Sequence, residues 1–272
     1  MSVTSWDSSA YIYSREVERI RFYQTTNHAL ITAGKIQPGM ILVDLACGTG
    51  FTIRKILDAV GPSTTIYGVE QSREMLAQAQ RTITTETVHF IHAGAEDFAS
   101  HIPKLVDRVI CNAAFFLFPN INAVLDEIRT VLKPEGLFAF NLPDQVYDFG
   151  DGKPSEMAQV ANKYLDPSPP AAEPPPKQYS TDRIHTLAIT HGFRVVESKV
   201  ISLQLSVDDL IRFYSIPYIG SRRFPNRTPE ELKELVTYRL KQCSDAEAPY
   251  YHWAQFVFSS ESEVKIIGID SE

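Results

Sequence analysis

Between residues 41 and 142 short apolar runs alternate with stretches of helical period, and that alternation leaves very few folds open. MILVDLA, TTIYGVE, VHFIHA, DRVICNA and GLFAFNLP read as strands. TIRKILDAV, REMLAQAQRTI and NINAVLDEIRTVL read as helices between them, with Gly61-Pro62 and Lys133-Pro134-Glu135-Gly136 as stop signals. Strands separated by helices build βαβ units, hence a parallel sheet with helices on both faces. Runs such as ILV and LFAF suit strands buried on both sides. RVVESKVISLQL and the late YYHWAQFVF complete a doubly wound, mostly parallel α/β sheet of seven strands.

The chain divides on this reading into three parts of one domain. Residues 1–39 form a helical cover segment, with EVERIRFYQTTNHALITAGKI as its helix. Residues 40–142 form the first half of the sheet, and 143–272 the rest. The second half carries two inserts. Residues 143–179 contain PSPPAAEPPP, which cannot enter a helix or a central strand, and read as an extended surface loop. Residues 206–248 read as helical, with Thr228 and Glu231 spaced as a capping box. Together the inserts are expected to cap the sheet.

Composition limits the partners. The net charge is -7 and no basic stripe is present, which argues against nucleic acid. The densest basic cluster, Ser221-Arg222-Arg223-Phe224, fits a solvated turn. Three cysteines, Cys47, Cys111 and Cys243, form neither a disulfide framework nor a metal-ligand spacing. With no signal peptide and no apolar stretch approaching the roughly 20 residues that span a bilayer, the expectation is a cytoplasmic protein, monomer or homodimer, without membrane or metal.

ILVDLACGTGF, residues 41–51, is a strand, a small-residue loop and a helix start. Ligands of open α/β sheets bind at the carboxyl ends of strands. Gly48 and Gly50 let backbone approach a ligand closely, and Glu70, ending the next strand, can accept both hydroxyls of a ribose. A dinucleotide fingerprint fails, because its third glycine would fall on Ile53. Asp44 at the strand end disfavours pyrophosphate and favours a cationic ligand. S-adenosyl-L-methionine, with an amino group, a sulfonium, a ribose and no phosphate, fits that pattern.

These motifs resemble the class I (Rossmann-like) S-adenosylmethionine-dependent methyltransferases. VDLACGTG is similar to their glycine-rich first motif, with Ala46 in place of the first glycine. YGVEQSREML resembles the second, HAGAEDF the third, VICNAAFFLF the fourth strand and its exit, and IRTVLKPEGLFAF the helix-turn-strand that follows. The resemblance implies S-adenosyl-L-methionine bound by Asp44, Ala46, Gly48, Thr49, Gly50, Glu70, Gln71, Met75, Ala95, Glu96 and Asn112. Gly94 stands where the third motif usually has an acidic residue, which leaves adenine to the backbone near Ala95 or to Glu96 or Asp97. Asn112 lacks the prolines of the adenine- and amide-nitrogen enzymes, so it reads as a strand-end cap.

The resemblance implies methyl transfer by in-line displacement to N or O, less readily C, of a small metabolite. The acceptor is expected to be hydrophobic or aromatic. Aromatic residues concentrate where a lid would lie, and Tyr11, Tyr13, Phe115, Phe116, Tyr214 and Tyr218 are the expected substrate contacts, with Phe118 and Phe224 nearby in sequence. His28 is the one weak candidate for a catalytic base. His191, before Gly192, reads as a helix-end cation, His252 as a packed strand residue and His185 as outward-facing. Two alternatives share the fold: a cofactor-binding protein catalysing a non-methylating reaction such as cyclisation, and an NAD(P)-dependent oxidoreductase.

Overall fold

A computed structural model describes residues 5–150, 155–165 and 177–260. The chain opens with α1 (Trp6–Glu16), a short 3-10 turn and α2 (Arg21–Ala33). The expected single opening helix is therefore broken. Ile20 adopts φ -88, ψ 114, an extended conformation, and its buried side chain anchors the break. Polar residues interrupt the apolar stripe of WDSSAYIYSRE, which hides its helical period; Ser5 caps the helix by accepting the Ser8 N–H.

The sheet half follows as expected: β1 (Ile41–Leu45), α3 (Phe51–Val60), β2 (Thr65–Glu70), α4 (Arg73–Thr82), β3 (Val88–His92), β4 (Val106–Cys111), α5 (Ile121–Val131) and β5 (Leu132–Pro143). Next come α6 (Glu156–Tyr164), α7 (Thr181–Thr190), β6 (Phe193–Gln204), α8 (Val207–Tyr214), α9 (Pro217–Gly220), α10 (Pro229–Leu240) and β7 (Tyr250–Ser260). The strands form one sheet in the order β3-β2-β1-β4-β5-β7-β6. The first five are mutually parallel, and β7 runs antiparallel between β5 and β6. The order reverses between β1 and β4, so ligand space opens at the ends of those strands.

Side chains alternate across the strands and build a core on each face. Leu42, Ile66, Ile110, Ala139 and Val257 meet Leu30, Ile53 and Ile56 on one face. Val43, Val109, Phe138, Phe140 and Phe256 meet Val124, Ile128 and Ile184 on the other. A third cluster joins α1–α2 to the cap: Val17, Ile20 and Phe22 pack with Met157, Leu210, Leu232 and Trp253. Thr228 and Glu231 form the expected capping box of α10. His191 closes α7, with Nδ1 2.6 Å from the Asp126 carboxylate.

The expectation of a loop over 143–179 needs correction. α6 lies within it, with Met157 and Ala161 fully buried. Prolines exclude helix only locally, so the run leaves EMAQVANKY free to be helical; PSPPAAEPPP itself falls outside the described residues. Among the described residues no helix is long and apolar enough to cross a membrane, and no cluster of metal-ligating side chains occurs.

Candidate cofactor site

β1 carries Asp44 to the base of the small-residue loop, where it is 1% exposed and its Oδ2 has no hydrogen-bond partner. Burial, reinforced by the Glu70 charge, pushes this carboxyl well above the ordinary carboxylate range. The loop then bends through the left-handed region at Ala46 (φ 59), Gly48 (φ 55) and Gly50 (φ 78). Alanine tolerates that conformation at Ala46, but Gly50 has a further constraint. A Cβ there would lie 2.6 Å from Ile83 Cδ1 and 3.3 Å from Ala79 Cβ. Left-handed backbone costs an L-residue about 1–2 kcal/mol before any clash. Gly50→Ala is therefore expected to lower the melting temperature by several degrees at roughly 2–4 °C per kcal/mol. An unchanged thermal unfolding midpoint would contradict this account of the loop.

Glu70 ends β2, 8% exposed. Its Oε2 accepts the Gly48 N–H at 2.9 Å and its Oε1 accepts the Ser72 N–H at 2.8 Å. Burial raises the Glu70 pKa and those backbone donors oppose the rise. The carboxylate thus ties the glycine loop to the start of α4, and each oxygen keeps acceptor capacity for a further donor. Asp7 of α1 accepts from Ser72 Oγ at 2.6 Å, which clamps the cover helix to the same corner. Across the strand order, Asn112 Oδ1 accepts from Asn141 Nδ2 at 2.8 Å, while Asn141 Oδ1 accepts the Ala113 N–H at 2.7 Å.

A cleft of about 780 Å³, counted to its solvent-open mouth, lies over this corner. Of the residues expected to hold cofactor, Ala46, Gly48, Glu70, Gln71, Met75, Ala95, Glu96 and Asn112 line it. Thr49 lines an adjoining smaller recess. Asp44 lies buried at the loop base, and Gly50 supports the loop as the residue before α3. Burial leaves Thr49 Oγ1 and Asn27 Oδ1, both in the recess wall, without partners.

The expected substrate contacts fare differently. Tyr13 lines both spaces. Tyr11 is 62% exposed, because α1 is too narrow to present positions 11 and 13 to the same side. Phe115 is fully buried against Phe138 and Phe140, a core residue. Phe116 and Tyr214 pack with the cover-and-cap cluster. Tyr218 stacks on Trp6 at 4.2 Å and supports that ring from outside the cleft. His28 is exposed on α2 and lines neither space, which removes it as a base. Trp6, Tyr23, Leu117 and Pro119 line the cleft and were not anticipated. The signal for Trp6 was its i, i+7 spacing from Tyr13; Tyr23 sits in a helix whose apolar face reads equally as core.

Comparison with known proteins decides the family. A family model described as a methyltransferase domain matches residues 36–187, more than half of the chain. The chain belongs to the class I S-adenosylmethionine-dependent methyltransferase family. It is 33% identical over 43% of its length to the malonyl-[acyl-carrier protein] O-methyltransferase of Halalkalibacterium halodurans, covering 44% of that protein. The like-named enzyme of Geobacter sulfurreducens is 29% identical over 71% of the chain, covering 67% of that relative. The matches thus span from under half to two thirds of these relatives' lengths. An S-adenosylmethionine-dependent methyltransferase from Thiobacillus denitrificans, solved with S-adenosyl-L-homocysteine, superposes with TM-score 0.55. It shares 18% identity and matches 87% of this chain and 91% of its own, which supports the shared methyltransferase fold.

Proposed function

We propose that this methyltransferase-family protein moves the methyl group of S-adenosyl-L-methionine to N or O of a small, hydrophobic or aromatic molecule. The observation that carries the reading is the Glu70–Gly48 hydrogen bond beside the unpartnered, buried Asp44. That arrangement offers acceptors to ribose hydroxyls and to an ammonium group, and sets two carboxyl groups where a phosphate would have to lie. When bound, the cofactor supplies an electrophilic methyl group on a positively charged sulfur.

The chain's own residues bind and orient. Glu70 receives the ribose hydroxyls. Asp44 Oδ2 and Asn27 Oδ1 receive the amino group, and Thr49 donates to the carboxylate. Gln71, Met75, Ala95 and Glu96 surround the adenine end, and Asn112, fixed by Asn141, borders the reacting end. Tyr13 and Tyr23 close the cleft from the cover helices and help exclude water. Holding donor and acceptor in line supplies most of the rate in such a displacement.

The relatives' names place their acceptor on an acyl carrier protein; for this chain a small free molecule is favoured by the aromatic lining of the cleft. Calorimetric titration with S-adenosyl-L-homocysteine and NADH, followed by an assay of S-adenosyl-L-homocysteine formation over a substrate panel, tests the proposal. Binding of NADH alone would reject it, and cofactor binding without any turnover would favour the non-methylating alternative. Asp44→Asn should separate folding from binding. Removing the buried charge should raise the melting temperature of the free protein while weakening the sulfur ligand about tenfold or more, since a charge-assisted hydrogen bond is lost. Parallel loss of both quantities would assign Asp44 a purely structural part.

A further inference from the structure

We infer that the methyl acceptor is an amine carried on an apolar or aromatic body, and that the cleft selects against carboxylate acceptors. This rests on the proposed methyl transfer and names the substrate class of the same cleft. The first observation is charge. Glu70 and Glu96 line the cleft and Asp44 lies buried at the base of its loop, whereas no Lys, Arg or His occurs among the described lining residues. Three arginines of the surrounding elements are held in ion pairs. Arg21 pairs with Asp209, Arg212 with Glu16 and Asp208, and Arg54 with Glu18 and the Thr49 carbonyl. Even without Asp44, whose burial favours the neutral form, Glu70 and Glu96 outnumber the bound cofactor's single net positive charge, so an anionic acceptor would enter a negative, partly desolvated site without a counter-ion.

The second observation is the wall opposite the loop. Trp6, Tyr13 and Tyr23 form a continuous run of rings, with centroids 5.6 Å and 5.9 Å apart and edges meeting faces. Ring faces attract cations and pack against apolar bodies, and do neither for a carboxylate. The third observation concerns proton transfer. Burial raises the Tyr13 and Tyr23 phenols, so both keep their protons and neither serves as a base, while the proposed cofactor engages Glu70 at its ribose and Glu96 at its adenine end, away from the reacting methyl. An alcohol acceptor needs a base; an amine does not. An ammonium loses its proton to water, the nitrogen lone pair forms the N–C bond, and the S–C bond breaks with its electron pair passing to sulfur. Protonated tyrosine hydroxyls can still accept an N–H bond and so aim the lone pair.

The test uses the full chain saturated with S-adenosyl-L-homocysteine and three ligands of matched body: 2-phenylethylamine, 2-phenylethanol and 3-phenylpropionate. Calorimetry should show the amine binding at least tenfold tighter than the carboxylate, with the gap narrowing as salt is added. Leu117→Lys, which places a cation among the lining residues, should narrow the gap as well. In the methyl-transfer assay, aryl-alkyl amines should react and a malonyl thioester should not. Carboxylate binding equal to or tighter than amine binding, no detectable difference among the three, or methylation of the malonyl thioester would overturn the inference. Failure of S-adenosyl-L-homocysteine itself to bind would instead overturn the proposed function.

Discussion

Replacing Glu70 with alanine should reduce affinity for S-adenosyl-L-homocysteine by about a hundredfold or more. Hydrogen bonds to a charged group contribute about 1.5–3 kcal/mol each, and a ribose offers two hydroxyls to this carboxylate. Two such bonds lost correspond to at least about 3 kcal/mol, or two decades of affinity. The substitution also frees the Gly48 and Ser72 N–H groups that Glu70 now receives, so the loop loses its tie to α4. Stability should change much less than affinity, because burial of the carboxylate already opposes its ionised form. Glu70→Gln, which keeps one acceptor, should fall between wild type and alanine. Calorimetric affinities within a fewfold of wild type for both variants would remove Glu70 from the cofactor site.

Asp144→Asn should stabilise the protein, and only above mildly acidic pH. Asp144 follows β5, is 4% exposed, and its Oδ1 has no partner. Burial pushes its pKa from the ordinary 3.8 up to about 6. Tyr214, itself pushed up to about 12 by burial, and Tyr251 lie close enough to feel its charge. An acid whose folded-state pKa is raised favours the fold below the unfolded value of about 4, and that contribution is lost as pH rises through about 6. A shift of about two units corresponds to roughly 3 kcal/mol. Asparagine keeps the shape and never ionises. Its melting temperature should therefore exceed wild type by about 6 °C or more at pH 8, at roughly 2–4 °C per kcal/mol, and match it near pH 4. A difference independent of pH would show that the Asp144 charge is not what the fold resists.

Much of this molecule was legible before its coordinates. The βαβ rhythm from β1 to β5 and the loop at 46–50 were readable because strand burial and helical period leave distinct spacings, and because a left-handed loop demands small residues. Glu70 was readable because a carboxylate at a strand end beside such a loop has few other uses. The wall of Trp6, Tyr13 and Tyr23 was only partly readable. An aromatic ring facing a cleft and one facing the core have the same local sequence, and what separates Tyr13 from Tyr11, or Phe118 from Phe115, is the direction of a turn set by distant contacts. α6 was hidden by neighbouring prolines. Tyr218 of the cap is placed by stacking on Trp6 of α1, some two hundred positions away, and no local pattern records that.

The same long-range docking orders the way the chain can fold. Ser9 accepts the Tyr218 N–H at 2.8 Å, Glu16 pairs with Arg212 and Asp209 receives the Arg21 backbone and side chain. Each tie joins residues 188 to 209 positions apart. Contacts of such separation carry a large loop-closure cost and form late relative to local ones. On the ribosome, α1 and α2 emerge first and can dock on α4 and the half-sheet, through Asp7 with Ser72 and Leu30 in the core, but their ties to the cap wait for α8 and α9. The half-sheet from β1 to β5 can assemble its loop and Glu70 meanwhile, but Trp6 still lacks Tyr218 behind it. A nascent chain thus holds the cofactor's floor under a cover that is tied on one side only, and the last quarter of the sequence locks the other side.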